Sequence, residues 1–276
     1  MKGTLFICAT PIGNLEDVSF RLIRILKEAD LIAAEDTRTI KKLLQKYNIS
    51  KKDTVSYHDF SNESRINYIT RELKAGRNVA LVSESGIPAI QDPGFRVINE
   101  CIKEDIPMTV IPGPNAAVSA LVLSGLAADN FLFVGFLPKT GAKRKNKLSE
   151  LAVFPYTIIF YESPKRIEAL MSELVERFGD RKASLVREIS KIYEEVIRDS
   201  LSCILTKIKG KKVKGEMVLI VEGYKKELIK SFSEEDITKE LIRLLKQGIS
   251  KKNAIKVVLS RYDIDKQKLY NIATKI

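Results

Sequence analysis

The chain has 276 residues, 45% of them hydrophobic and 30% charged. That is the make-up of a soluble globular protein of one or two domains with ample core. No apolar run reaches the length of a membrane span, and the formal net charge of +12 invites a polyanionic partner, nucleic acid first, beside the plainer reading of lysine as generic surface.

The N-terminal apolar run, residues 4–8, is too short for a secretion signal and reads as a first strand of the mature fold. A loop, Ala9-Thr10-Pro11-Ile12-Gly13-Asn14, follows it. Residues 19–29 form an amphipathic helix, with Phe20, Ile23, Leu26 and Ala29 at helical spacing. A short strand over 31–34 runs into Glu35-Asp36-Thr37-Arg38. A helix over 39–47 turns Ile40, Leu43 and Leu44 inward, and a strand over 54–57 leads to the loop His58-Asp59-Phe60-Ser61-Asn62-Glu63. Ile66, Ile69 and Leu73 mark a helix that Ala75-Gly76 closes.

The stretch ALVSESGIPAIQDPG, residues 80–94, is the centre of the pattern. It starts as the buried strand Val79-Ala80-Leu81-Val82 and breaks into a long polar loop. A helix over 95–103 follows. Strand, loop and helix in that order are where open α/β sheets bind ligands. A strand over 108–111 then leads into Pro112-Gly113-Pro114, and a small-residue helix covers 115–124. The loops after the first, central and fifth strands are expected to meet at one edge of a parallel sheet. Residues 131–135 read as the last strand of this half.

Residues 137–146, rich in Pro, Gly and Lys, read as a boundary. Beyond them the expected elements are a helix near 144–153, a strand over 157–161, a helix over 166–178 and strands over 183–186 and 191–198. A helix over 200–209 and a final strand over 216–221 complete a mixed sheet. After Tyr224 the pattern is all helical: 234–246 with Ser233 as its cap, 250–262 and 265–273. The expected domains are therefore 1–136, 137–226 and 227–276. The fold class is α/β: two α/β domains with a ligand cleft between them, plus a small C-terminal helical extension.

Cys8, Cys101 and Cys203 are far apart, odd in number and without CxxC pairing. They read as small buried hydrophobes of a reducing, cytoplasmic protein without a zinc site. There is no HExxH, GxSxG, P-loop or GxGxxG, and a single histidine rules out a multi-histidine metal site. Loops rich in Gly, Pro and Ser but poor in cations suit a zwitterionic nucleoside-type ligand better than a triphosphate. The positive charge comes in blocks. Lys139, Lys143, Arg144, Lys145 and Lys147 form one, and residues 207–214 hold five lysines. From Arg243 to the end there are nine basic residues against two acidic. Blocks of this kind suit phosphate contacts.

Eight stretches occur in one order: ATPIGNLEDVS, LIAAEDTR, ALVSESGIPAIQDPG, VIPGPNAAVSAL, FVGFLP, FYESPKR, REISK and KGEMVLIVEG. Together they resemble the tetrapyrrole methylase superfamily, and within it the branch that acts on ribosomal RNA. The resemblance covers about residues 1–224, and the tail is similar to the helix-turn-helix-like extension of that branch. It implies an S-adenosylmethionine (SAM) enzyme with its cofactor in the cleft between two α/β domains. The implied reaction methylates a cytidine ribose 2′-hydroxyl in 16S rRNA of the small ribosomal subunit, and the implied assembly is a homodimer.

Carried onto this chain, the resemblance places Pro11 and Gly13 under the cofactor and lines it with Glu84, Ser85, Gly86 and Ile87. Asn115, Ala116, Tyr161, Glu162, Arg187, Gly215, Glu216 and Met217 complete the cofactor set. A ribose hydroxyl needs a base or a polarising group; Glu84, Glu35 and His58 are the candidates, and no metal is required. Lys143, Arg144, Lys145, Lys147, Lys251, Lys252, Lys256 and Arg261 are the expected RNA contacts. Two departures stand out: the branch usually has Asp-Ala where this chain has Glu84-Ser85, and Ile87 replaces a common Thr.

Plainer readings stand beside these. The prolines can serve turn geometry alone, Glu35–Arg38 a helix N-terminus, His58 a loop and Tyr161 the core. Two rival functions are a small-molecule, tetrapyrrole-type methylase and an RNA-binding assembly module without catalysis. The basic blocks disfavour the first and the complete set of cleft motifs the second.

Overall fold

The computed structural model describes residues 1–58, 63–211, 213–225, 231–246, 248–259 and 261–276. Most of the expected His58–Glu63 loop, Lys212 of the lysine block and the start of the tail at 226–230 lie outside those residues. The chain divides into two compact units, 1–223 and 224–276.

Five short strands build the first sheet: β1 (Leu5–Cys8), β2 (Leu31–Ala34), β3 (Asp53–Ser56), β4 (Val79–Val82) and β5 (Met108–Ile111). Their order is β3-β2-β4-β1-β5 and every pairing is parallel. Strand alternation sends Val79 and Leu81 to one face and Ala80 and Val82 to the other. Helices α3 (Glu63–Lys74) and α4 (Phe95–Lys103) cover the first face through Ile66, Ile69, Leu73 and Val97. Helices α1 (Phe20–Glu28) and α2 (Thr37–Lys46) cover the second through Leu22, Ile25, Ile40 and Leu43. A parallel sheet buried on both faces needs such near-continuous apolar strands. Phe20 departs from its expected inward place and is 93% exposed. Ser19 caps α1 by accepting from Leu22 N at 3.0 Å, so Phe20 is the first helical residue and the buried stripe starts at Leu22.

The second sheet holds β6 (Phe131–Phe136), β7 (Thr157–Glu162), β8 (Lys182–Arg187), β9 (Glu195–Ser200) and β10 (Met217–Val221), in the order β6-β7-β10-β8-β9. Only β6 and β7 run parallel, so the sheet is mixed, as expected. Two sequence readings change here. Residues 131–135 open the second sheet rather than close the first, because β6 pairs with β7. The strand read at 191–198 is β9, four residues later at its start, because residues 188–194 form a loop held by its own side chains.

One face of this sheet packs on α6 (Ala142–Ala152), α7 (Ile167–Phe178) and α8 (Leu201–Ile208) through Ile158, Phe160, Leu185 and Leu219. The other face packs on α5 (Ala116–Ser124), where Ala117, Ala120 and Leu121 meet Ile159, Val186, Val218 and Ile220. Helix α5 follows the last strand of the first sheet directly, so it bridges the two sheets.

The second unit is a three-helix body: α9 (Glu234–Lys246), α10 (Lys251–Leu259) and α11 (Lys266–Thr274). Ile237, Leu241, Leu244, Ala254, Val258, Leu269 and Ile272 form its core. Ser233 and Asp236 cap α9 reciprocally, Asp236 N donating to Ser233 Oγ at 3.2 Å and Ser233 N to Asp236 Oδ2 at 2.9 Å. Among the described residues, no helix is long and apolar enough to cross a membrane.

Cys8 and Cys101 are buried as expected, but Cys203 is exposed near the start of α8. Burial pushes the Cys8 thiol up to about 12 and the Cys101 thiol up to about 11. Only the thiolate reacts. A maleimide applied to the native protein at neutral pH should therefore label Cys203 alone, with Cys8 and Cys101 labelled after denaturation. Peptide mass mapping reads the result, and fast native labelling of Cys8 would contradict this core.

Candidate active site

Strands β4, β1 and β5 lie side by side, so the loops that leave their carboxyl ends start as neighbours. Backbone bonds then join them. Thr10 N donates to the Gly86 carbonyl at 2.8 Å, and Gly86 N to the Thr10 carbonyl at 3.1 Å. The buried Ser83 hydroxyl donates to the same Gly86 carbonyl at 3.1 Å. Gly86 sits at φ +80, a conformation that suits glycine. Gly113 marks a different close approach: a Cβ there would stand 3.0 Å from the Ala9 Cβ, so the first and fifth loops touch. Ala89 and Gln91 also hold positive φ, at 69° and 65°, a local strain of the kind that gathers at functional sites.

Asn115 caps α5, its Oδ1 accepting from Val118 N at 3.0 Å. From the facing sheet comes Tyr161. Its ring lies 5.0 Å from Phe133 and 5.7 Å from Phe136, both edge-on. Burial pushes its hydroxyl up to about 12 against a hydrogen bond from Ala117 N–H, with Asp92 and Glu216 adding negative charge nearby. The phenol is therefore neutral at any ordinary pH.

Between these walls lies a cavity of about 330 Å³, at the lower end of the usual range for small-molecule sites. Of the expected residues, Ser85, Gly86, Ile87, Asn115, Ala116, Tyr161, Glu162, Gly215, Glu216 and Met217 line it. Glu162 is the unusual member. Its side chain is fully buried; Oε1 pairs with Arg166 Nη2 at 2.6 Å and accepts from Ser163 N at 2.7 Å. Its Oε2 is buried without a hydrogen-bond partner among the described residues. A buried carboxylate oxygen in that state is costly unless a ligand donates to it.

Other expected residues fall elsewhere. Pro11 and Gly13 flank Ile12, and it is Ile12 that faces the cavity. Arg187 gives way to Val186, because successive strand residues point to opposite faces, and Arg187 pairs with Glu195 at 3.0 Å. Glu84 is exposed on the rim, where its backbone N donates to Glu35 Oε2 at 3.3 Å. Asp36 beside them caps α2, and the hydrogen bonds of Arg38 hold its carboxyl down at about 2. His58 follows β3, the far edge strand, with its Nε2 2.8 Å from Ser56 Oγ. None of the three expected bases lines the cavity.

Several lining residues go beyond the expected set. Gln91 and Asp92 belong to the central loop, and Phe136 to FVGFLP; both stretches stand out in the sequence, but nothing in their spacing tells which side chains turn inward. Among the described residues, no group of three or more His, Cys, Asp or Glu is placed to hold a metal.

Arg144 is corrected outright. It is 7% exposed, and its guanidinium donates to Glu173 at 2.9 Å and to the Pro138 carbonyl at 3.0 Å. It anchors α6 to α7 and is closed to phosphate. Lys143 and Lys145 on the same helix are exposed, and Lys147 is half-buried beside Glu150. In the helical unit Lys251, Lys252 and Lys256 are exposed, while Arg261 is held by Glu240.

The family described as Tetrapyrrole (Corrin/Porphyrin) Methylases matches residues 4–204. A ribosomal RNA small subunit methyltransferase I from Halalkalibacterium halodurans is 44% identical over 98% of this chain and 94% of its own length. Its counterpart from Bacillus subtilis is 39% identical over 98% and 93%. Among solved structures, a uroporphyrin-III C-methyltransferase from Thermus thermophilus complexed with S-adenosyl homocysteine shares the fold at a TM-score of 0.56 and 21% identity, over 80% of this chain and 97% of that one. The cobalt precorrin-4 methyltransferase CbiF does so at 0.61 and 16%, over 79% and 94%. With the family match spanning most of the chain and these relatives spanning nearly all of it, the protein belongs to the tetrapyrrole methylase family, a family of SAM-dependent methyltransferases.

Proposed function

We propose that the cavity between the two sheets holds SAM, and that the protein methylates a ribose 2′-hydroxyl of a cytidine in 16S rRNA of the small ribosomal subunit. The observation that carries the site is the meeting of the three loops opposite Glu162, whose buried Oε2 has no hydrogen-bond partner among the described residues. The lining fits the cofactor. Apolar side chains such as Ile12, Ile87 and Met217 suit its uncharged surface, glycine backbone allows close approach, and carboxylates at Asp92, Glu162 and Glu216 suit a cation. The near-full-length identity to the rRNA enzymes supports the substrate. In the same reading the enzyme works in the cytoplasm as a homodimer.

When bound, SAM supplies a methyl group already activated for transfer. The protein's part is then alignment and proton removal. Gly86, Asn115 and Ala116 on one wall and Tyr161, Glu162 and Gly215–Met217 on the other fix the donor. The exposed ring of Phe136 at the cavity wall offers a surface for a base to stack on. Asp92, half-buried in the lining, takes over from Glu35, Glu84 and His58 as the group to accept the hydroxyl proton. Phe136 ends β6, and the chain runs from it directly towards α6, so Lys139, Lys143, Lys145 and Lys147 lie next along the chain. Lys251, Lys252 and Lys256 offer a second basic face on α10.

Ala116→Leu should place a branched side chain in the cofactor's space. Calorimetry should show SAM binding lost while the melting temperature holds; unchanged affinity would move the cofactor elsewhere.

The function itself is read with tritiated SAM and small subunits lacking the modification, followed by mapping of the labelled nucleotide. Label is expected on a cytidine ribose of 16S rRNA. Asp92→Asn should cut the rate by about 10²-fold or more with SAM affinity kept, which is the usual worth of a general base. Label on protein or on a base would refute the reading, and a full rate in the variant would release Asp92 from its role.

Replacing Lys143, Lys145 and Lys147 with Ser should weaken subunit binding and make log affinity less steep against log salt, by about 0.7 for each phosphate that the variant leaves unneutralised. Filter binding from low to physiological salt measures it. An unchanged slope would make these lysines ordinary surface.

A further inference from the structure

The stretch Arg187-Glu188-Ile189-Ser190-Lys191 gives the cavity wall one side chain, Ile189. Glu188 and Lys191 bond to Glu216, beside the neighbouring strand β10 of the same sheet, and Ser190 bonds to the first half. Glu188 N donates to the Glu216 carbonyl at 2.9 Å, and Glu188 Oε1 accepts from Glu216 N at 3.0 Å. Lys191 Nζ reaches Glu188 Oε1 at 3.0 Å and Glu216 Oε2 at 3.1 Å. Ser190 Oγ donates to Asp17 Oδ2 at 2.5 Å, on the turn that follows the first loop.

Two glycines make room for these side chains. A Cβ on Gly13 would stand 2.4 Å from Lys191 Cγ, and a Cβ on Gly215 would stand 2.4 Å from Glu188 Cγ. Glu188 and Ser190 themselves hold φ of +50 and +67, which non-glycine residues rarely adopt without support. Burial works against the charge on Lys191, yet its hydrogen bonds to Glu188 and Glu216 hold its pKa above the usual lysine value. Glu188 is held low, first by the Glu216 backbone N–H. Both groups are therefore ionised at working pH.

We infer that this loop is a latch between the two sheets, in which Lys191 is a positioning residue that holds the Gly13 turn against the Glu216–Met217 edge and so sets the width of the cofactor cleft. The inference rests on the assignment of the cleft to SAM. It gives Gly13 a different task from lining the cofactor: Gly13 seats the Lys191 stem. It also explains why three separated stretches, at 9–19, 187–191 and 214–223, belong together. The lysine touches neither the cavity nor a reacting atom, so its effect runs through geometry alone.

The test is Lys191→Met, which keeps the stem and removes the charge. SAM affinity by calorimetry should fall about tenfold, in line with losing charge-assisted bonds that are partly screened. KM for SAM should rise in step, while kcat at saturating SAM stays within about twofold. Lys191→Arg should restore most of the affinity. Unchanged affinity in Lys191→Met overturns the latch. Should Lys191→Met melt at the assay temperature, Glu188→Gln keeps an acceptor for Glu216 N–H and loosens the hold on Lys191; unchanged affinity there overturns it equally. The two assignments fail separately. If Ala116→Leu also bound SAM normally, the cleft itself would be misassigned. If Ala116→Leu lost SAM and Lys191→Met did not, only the latch would fall.

Discussion

The site depends on a two-bond bridge between Thr10 and Gly86. Each of the loops it joins would be a long, polar excursion on its own. Bridged, they leave the sheet edge as a short piece of antiparallel ladder, with the buried hydroxyls of Thr10 and Ser83 placed at its carbonyls. Everything farther out is carried on that piece: the strained turn at Ala89–Gln91, the inward face of Ile87, and the rim where Glu35 meets Glu84. A loop held this way costs little ordering entropy when a ligand arrives, because the backbone is already fixed.

Charge is sorted across the molecule. The chain carries +12 overall, yet the described residues that line the cavity include three carboxylates and neither lysine nor arginine. Lys143 and Lys145 on α6 are exposed, as are Lys251, Lys252 and Lys256 on α10 of the helical unit. Arg144 shows why a count of basic residues overstates the outer surface: within one block it is the structural member, spent on Glu173 and Pro138.

Much of this is legible in the sequence. Apolar runs of four residues locate β1, β2 and β4, and the loops expected to meet do so. Ser233 announces a helix start through its side-chain oxygen, whereas Ser19, Asp36 and Asn115 emerge as caps only in the structure. Direction is what the sequence does not carry. Whether Val186 or Arg187 faces the cavity is a matter of strand phase, and both belong to one strand. Glu162 is expected on the cofactor, but its pairing with Arg166 and its open oxygen depend on packing from α7. Residues 131–135 look like part of the first half and join the second, because a strand's partner is set by what it packs against, here α6 and α7 through β7, and not by its own pattern.

Helix α5 carries apolar residues nearly all round, and its two ends answer to different sheets. Asn115 caps it at the edge of the first, while Ala117, Ala120 and Leu121 complete the core of the second. The second sheet therefore cannot be finished without a segment that the first positions. The two halves of residues 1–223 are neighbours in sequence but not independent in folding. The second sheet must wait for a helix synthesised before any of its own strands, and loss of that helix from its seat would uncover both the core and the cofactor wall in one event. Stability and ligand affinity are in this way two readings of the same cooperative transition.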